Sequence, residues 1–371
     1  MKHSRGVWSL VGLWLAGCLG APADPLYSVV NLGALGTGAA MPTAVNGAGV
    51  VSGLWTDPSG QQQAVSFNGQ PTPQTLGWLG QANGVNDTGT FIGTSLANNS
   101  PSVVESSGGQ VKSLGISGYG TAINNAGQIG GGMITANGQV HAFLWSSGSL
   151  LDVGTLTGAT WSSVYGINSS GQAVGTSMAG NGTTSVFVSN GTSVQAIANT
   201  LGGASAHGMS INDSGTVVGN AQTSSRYPHA FLSSGQGMVD LGTLGGTQSY
   251  AYGINDAGLV VGYSLLSDNT THAFAYLGGV LVDLNTWLPA SSGWTLGAAY
   301  AVNNSGDIVG VGTLNNQLYA VELVPSGPPA IMAEAPADPA PVPEPGALLL
   351  SATGLAAIAT IVWRRRRAAG V

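Results

Sequence analysis

At 371 residues, with 60 glycines, a hydrophobic fraction of 43% and only 6% charged residues, the chain has the composition of a turn-dense β protein with an uncharged polar surface. Its apolar residues are periodic and numerous enough for a core, which excludes a disordered chain, and its single cysteine, Cys18, excludes an intrachain disulfide. Formal charge is −7, and all 15 acids lie in an interior whose only bases are Lys112 and Arg226, which excludes nucleic acid as a partner because such a body repels phosphate backbones.

Residues 1–23 have the form of a secretory signal peptide: Lys2 and Arg5 precede an apolar run from Val7 to Ala16 that is too short to span a bilayer. Two processing sites compete. Ala21-Pro22-Ala23 is an A-x-A cleavage site, whereas Leu15-Ala16-Gly17-Cys18 is similar to a lipobox, in which Cys18 would be lipidated.

Residues 24–325 form a repeat array. Tyr252–Gly262 reads YGINDAGLVVG, and variants of it centre on Asn46, Asn86, Asn124, Asn168, Asn212 and Asn303 as well as Asn255, 38 to 48 residues apart. In every copy a glycine stands three residues after the Asn and another four beyond it. Two apolar runs flanking Asn-x-small-Gly predict a tight hairpin, in which the asparagines have a structural turn role. The loop around Asp213 lacks the alternating carboxylates and distal Glu of a calcium loop, so no metal is expected there. Each copy divides into four short strands, which in the sixth are SYAYGI, LVVGYS, THAFAYL and VLVDLNT. Four strands per repeat of this length predict an all-β, seven-bladed propeller of four-stranded blades. The array enters on LYSVVNLGALG, which matches a fourth strand, and leaves on LYAVELV, a third strand. Pairing those two closes the ring through the N-terminal strand and removes an exposed edge.

Residues 326–342 are rich in proline and alanine and predict a stiff extended linker. In the tail, residues 343–371, an uncharged apolar run over 347–363 precedes Arg364, Arg365, Arg366 and Arg367. The pattern predicts a transmembrane helix in the inner membrane with the arginines on the cytoplasmic side as a topology signal, holding the ring outside.

Pro343-Glu344-Pro345, the apolar run and the Arg cluster together resemble the PEP-CTERM sorting signal of Gram-negative bacteria. The resemblance implies that an exosortase-type enzyme recognises Pro343, Glu344 and Pro345 and processes the chain on its way to the cell surface or the extracellular matrix of biofilm-forming cells, after a transient membrane-anchored stage. Over roughly 27–324 the chain also resembles HAF-repeat extracellular proteins, through the tripeptides beginning at His141, His229 and His272; the first repeat departs from that pattern with Ala64-Val65-Ser66. This second resemblance implies a location and no chemistry.

No catalytic residue, metal site or cofactor emerges. His141, His229 and His272 occupy equivalent positions in different repeats, at the start of a strand; unless that strand is the innermost one they cannot converge on one ion. Asp152, Asp240 and Asp283, like Asp87, Asp213 and Asp256, are repeat features, and the acids outside the pattern (Asp57, Glu105, Asp268, Asp307, Glu322) show no pairing of the kind a glycosidase needs. Trp55, Trp78, Trp145, Trp161, Trp287 and Trp294 could stack on sugars or pack between sheets. The expectation is a non-catalytic surface or matrix protein that binds exopolysaccharide or a protein partner, the alternative a propeller hydrolase or lyase acting on extracellular glycans.

Overall fold

The computed structural model describes residues 26–34, 40–97 and 100–327. Cys18 and everything beyond Gly327, including Pro343 to Pro345, the run 347–363 and Arg364 to Arg367, lie outside them.

The chain is almost entirely β. It opens on β1 (Tyr27–Ala34) and continues through β2 (Ala40–Val45), β3 (Val51–Thr56), β4 (Gln62–Phe67), β5 (Gln74–Val85), β6 (Phe91–Ser95), β7 (Ser102–Ser107) and β8 (Gln110–Ile123). β9 (Ile129–Ile134), β10 (Val140–Ser146), β11 (Ser149–Gly154), β12 (Ala159–Ile167), β13 (Ala173–Ala179), β14 (Thr184–Ser189) and β15 (Val194–Ile197) follow. Then come β16 (Gly202–Ile211), β17 (Val217–Thr223), β18 (Pro228–Ser233), β19 (Val239–Asp240), β20 (Ser249–Ile254), β21 (Val260–Leu265), β22 (Thr271–Leu277) and β23 (Val280–Asp283). A 3-10 turn, Leu284–Trp287, leads to β24 (Trp294–Val302), β25 (Ile308–Leu314) and β26 (Gln317–Pro325). Among the described residues no helix is long and apolar enough to cross a membrane.

Each repeat is an antiparallel set in which an inner strand, ending on the motif asparagine, pairs with the strand after the turn, and that strand with the next. In the sixth repeat β20, β21, β22 and β23 lie side by side in chain order. β5 and β8 are long because each serves twice, as the outer strand of one repeat and the inner strand of the next. The last repeat takes its outer strand from the start of the chain: β1 pairs antiparallel with β26, Tyr27 opposite Pro325 and Val30 opposite Glu322.

Two devices make the repeat. The first is the turn: Asn46 accepts the N–H groups of Ala48 and Val50 at its side-chain oxygen, and Gly49 takes φ +76° to close the loop. The second lies four residues on. Gly53, Gly131, Gly175, Gly219 and Gly262 sit where an added Cβ would meet both a main-chain oxygen of the inner strand and the ring of a buried phenylalanine. Those rings, Phe67, Phe143, Phe187, Phe231 and Phe274, are at most 1% exposed. Burying each contributes about 2–3 kcal/mol, and the glycine leaves the room.

Core clusters bridge consecutive repeats rather than filling each one alone. Val174 and Val186 of the fourth pack with Ala206, Ile211, Val217 and Phe231 of the fifth. Likewise Val309 and Ala320 of the last repeat pack with Leu32 of β1 and with Ala40, Val51, Val65 and Phe67 of the first. A repeat alone could not hide its apolar face, so neighbours complete one another's core.

Candidate functional site: an axial channel with two unlike ends

The inner strands surround a channel whose wall repeats in three layers. At one end the buried side chains of Asn46, Asn86, Asn124, Asn168, Asn212, Asn255 and Asn303 form a closed cycle: each Nδ2 donates to the main-chain oxygen of the next Asn, at 2.8 to 3.2 Å, and Asn303 returns to Asn46. Asparagine alone can do both jobs, since its oxygen closes its own turn while its NH₂ reaches the neighbour.

The residue after each Asn forms an exposed rim. Gly47 and Ser169 donate their N–H groups to the side-chain oxygens of Asp87 and Asp213, Asp213 to Asp256, and Asp87 and Asp256 to Asn125 and Asn304. The rim is broken at Gly47, which has no side chain, and at Ser169, whose hydroxyl receives no such bond. Asp87, Asp213 and Asp256 are thereby held by main-chain donors, and no group of metal-ligating side chains occurs among the described residues.

Asn212→Asp is expected to lose the donor to Asn255 and to add a carboxylate beside Asp213, costing about 1–3 kcal/mol of stability at pH 7. The loss should shrink near pH 3, where the protonated acid donates again. Thermal unfolding at the two pH values reads it, and equal melting temperatures for variant and parent at pH 7 would refute it.

Above the asparagines a collar of Val45, Val85, Ile123, Ile167, Ile211, Ile254 and Val302 narrows the channel. The far mouth is built differently. Every inner strand carries a β-bulge, visible as a one-residue shift in its register with the following strand. The seven extra residues are Thr43, Asn83, Thr121, Tyr165, Met209, Tyr252 and Tyr300, and all seven line the channel mouth. A bulge re-aims one side chain out of the sheet; here it does so once per repeat, in a ring.

This ring is lopsided. Thr43, Asn83 and Thr121 are small and tie down to the next repeat, donating to the oxygens of Ala82, Gly120 and Val164 at 2.7, 2.7 and 2.5 Å. Opposite them the tyrosines cluster: Tyr252 stacks on Tyr263 at 5.9 Å and meets Tyr300 edge-on at 5.6 Å, and Tyr250 stacks on Tyr263 at 4.8 Å. Burial raises the hydroxyls of Tyr165, Tyr252 and Tyr300 above the usual range, so they stay neutral at any physiological pH. The described chain enters at Leu26 and leaves past Pro325, which packs against Gly306 of the last asparagine turn. Both ends therefore lie on the asparagine side.

The other residues singled out from sequence fall elsewhere. His141, His229 and His272 bond through Nδ1 to Asp152, Asp240 and Asp283 of their own repeats, at 3.0, 2.8 and 2.6 Å, each a local tie between third and fourth strands. Asp57 and Asp268 each cap a loop through hydrogen bonds that hold their carboxyls below the usual range. Glu105 faces Lys112 at 3.4 Å. Asp307 and the buried Glu322 lie at the seam between last and first repeats, far from the mouth, where the charge of Asp307 adds to burial in raising the carboxyl of Glu322. Among the tryptophans of the described residues, Trp161 lines a cavity connected to the mouth. Trp78 is buried with Ala64, Ala82 and Val104, Trp287 stacks on Tyr27 at 5.8 Å, and Trp294 packs edge-on to Tyr319 at 5.4 Å.

These features define an all-β, propeller-like molecule with an axial channel. At its C-terminal end the chain matches the PEP-CTERM protein-sorting motif over residues 341–367, the mark of an exported protein with a membrane-anchoring sorting signal. No curated protein matches the chain. Among solved structures it is similar to a puromycin-hydrolysing peptidase of Mycobacterium tuberculosis, with TM-score 0.53 and 11% identity over 77% of this chain and 50% of that one. It is also similar to the β-propeller domain of the Trilobed protease from Pyrococcus furiosus, described as having an open velcro topology, with TM-score 0.49 and 6% identity over 78% and 96% of the two chains. The chain spans half the length of the mycobacterial peptidase, and an identity of 11% to it speaks for the fold alone.

Proposed function

We propose that the chain is a seven-bladed propeller of the HAF-repeat type, exported, processed at its PEP-CTERM tail by an exosortase-type system, and acting at the cell surface or in the extracellular matrix as a binding protein. Its ligand site in this reading is the tyrosine-ringed mouth, and the ligand is matrix exopolysaccharide or a matrix protein. The observation that carries the proposal is the contrast between layers: the asparagines and the collar barely vary from repeat to repeat, while the bulge position reads Thr, Asn, Thr, Tyr, Met, Tyr, Tyr. A site that binds one ligand needs unlike groups, and a ring that only holds the fold does not. The side on which the chain enters and leaves is the other one.

Binding without turnover is favoured by the lining. The cavities over the mouth are walled by aromatic, aliphatic, amide and hydroxyl side chains, with no carboxylate or imidazole to act as acid or base. Among the described residues, the one acid pair whose charges are felt, Asp307 and Glu322, is at the seam.

Two measurements test this. Removing residues 343–371 should take the protein off the membrane-linked route and leave it in a soluble fraction; unchanged fractionation would refute the sorting role. The double variant Tyr165→Ala/Tyr300→Ala, checked for native unfolding behaviour, should lose at least tenfold in capture on the producer's own extracellular matrix. Full capture would move the ligand site away from the mouth.

A further inference from the structure

Resting on that reading of the mouth, we infer that its ligand is an extended, uncharged glycan several sugars long. The polymer lies across the mouth from Tyr300 to Trp161.

Shape is the first argument. A cavity of about 430 Å³ covers the mouth between Met41, Tyr252 and Tyr300. A second, of about 360 Å³, runs outward past Tyr119 to Trp161 and Leu96. Both are walled by Gln81, Asn83, Thr121 and Tyr165, so they are two lengths of one groove. Each alone lies in the size range of a small-molecule site, and a single sugar would fill only one end.

The donor count is the second. Thr43 and Thr121 have committed their hydroxyl hydrogens, and Asn83 one of its two amide hydrogens, to main-chain oxygens of the neighbouring repeat. What they present to a ligand is mainly acceptor capacity, in the hydroxyl lone pairs and the amide oxygen of Asn83. A ligand dense in O–H donors matches that lining. A proline-rich peptide, the other polymer that docks in aromatic grooves, has few N–H groups to give.

Charge is the third argument. No Asp, Glu, His, Lys or Arg lines either length of the groove. The chain carries Lys112 and Arg226 as its only bases between residues 6 and 363, against 15 acids, so a polyuronate finds no cation here and meets repulsion at a distance. The rings of Tyr300, Tyr165, Tyr119 and Trp161 offer flat apolar faces to the C–H faces of sugars, with polar tips at their edges.

The test uses the full-length protein in detergent against immobilised neutral, N-acetylated and uronate oligosaccharides of one to eight sugars, with a peptide of residues 328–345 alongside. Neutral or N-acetylated chains should bind at least tenfold more tightly at six sugars than at two. Trp161→Ala should abolish that gain with length, Tyr300→Ala should weaken every length about tenfold, and Tyr300→Phe should keep most of the binding. Equal binding at all lengths, preference for uronates, or binding of the peptide alone would overturn the inference. If Tyr300→Ala removes capture on the producer's matrix while no neutral oligosaccharide binds, the glycan falls and the mouth remains the site; if it leaves matrix capture intact, both fall.

Discussion

Glu322→Gln is expected to stabilise the protein by about 3 kcal/mol at pH 8 and to leave it unchanged at pH 4. Glu322 is 5% exposed, on β26 between Val309 of β25 and Val30 of β1. Burial, and then the charge of Asp307, pushes its carboxyl from 4.5 up to about 7. Because the folded value lies above the unfolded one, the native state keeps a proton that the unfolded chain gives up. The contribution is therefore fully present below pH 4.5 and is lost as pH rises to about 7. Gln has the same shape and nothing to lose. In urea unfolding at half-unit steps from pH 4 to 8, the difference between variant and parent should climb through that window and level off above it. A difference that stays flat would mean that Glu322 ionises freely and that the seam carries no such cost.

The seam is where the repeats depart from their own rule. At the position of Glu322 four other repeats place Leu144, Val188, Leu232 and Ala275, the first places Ser66, and the second places Glu105, which faces Lys112 rather than a second acid. At the position of Asp307 two others place Gln128 and Gln172, which receive a hydrogen bond from the preceding Asn just as Asp307 does from Asn303 at 2.8 Å. An acid in each place produces a like-charge pair beside the turn of the first repeat, where a Cβ on Gly49 would stand 3.4 Å from Glu322. The strand pair that closes the ring, β1 with β26, thus has a stability tied to pH through Glu322.

The hairpins were legible because their chemistry is local. Asn followed by a glycine at the third residue and another at the seventh marks the seven repeat turns, and hairpins stand at those places. The donation from each Asn to the next was not legible, since it joins residues 38 to 48 positions apart, or 257 for the closing bond. The mouth was hidden for a related reason. A bulge residue has the same alternation as its strand until the register with the partner is known, so Tyr165, Tyr252 and Tyr300 read as ordinary strand residues. A signal existed nonetheless: aligning the repeats on Asn leaves the preceding residue always Val or Ile, while the one three before it varies. His141, His229 and His272 drew attention through the tripeptide they begin, but each ends on an Asp eleven residues on in its own repeat. The seam pair was missed because Asp307 closes the turn before β25 while Glu322 lies on β26, with nothing in spacing to join them.

Gly262→Ala is expected to cost about 3 kcal/mol or more, and Gly258→Ala only about 1 kcal/mol, although both glycines belong to the same motif. Gly258 is there for its backbone: φ is +83° and nothing stands within 4 Å of an added Cβ, so the substitution meets left-handed strain alone. Gly262 is there for space. Its Cβ would fall 1.9 Å from the main-chain oxygen of Tyr250 and 2.8 Å from the ring of Phe274. Shrinking the ring with Phe274→Leu should not rescue Gly262→Ala, because the nearer obstacle is backbone and cannot yield without undoing the pairing of Ala251 with Gly262 beside the bulge. That bulge holds Tyr252 in the mouth, so the variant should also lose ligand binding under conditions where it remains folded, whereas Gly258→Ala should keep it. Unfolding curves for both variants and the rescue pair, with matrix capture measured at low temperature, decide it. A loss for Gly262→Ala no larger than for Gly258→Ala, or recovery through Phe274→Leu, would mean that the sheet adjusts around the bulge and that the mouth is less tightly fixed by the repeat than its geometry implies.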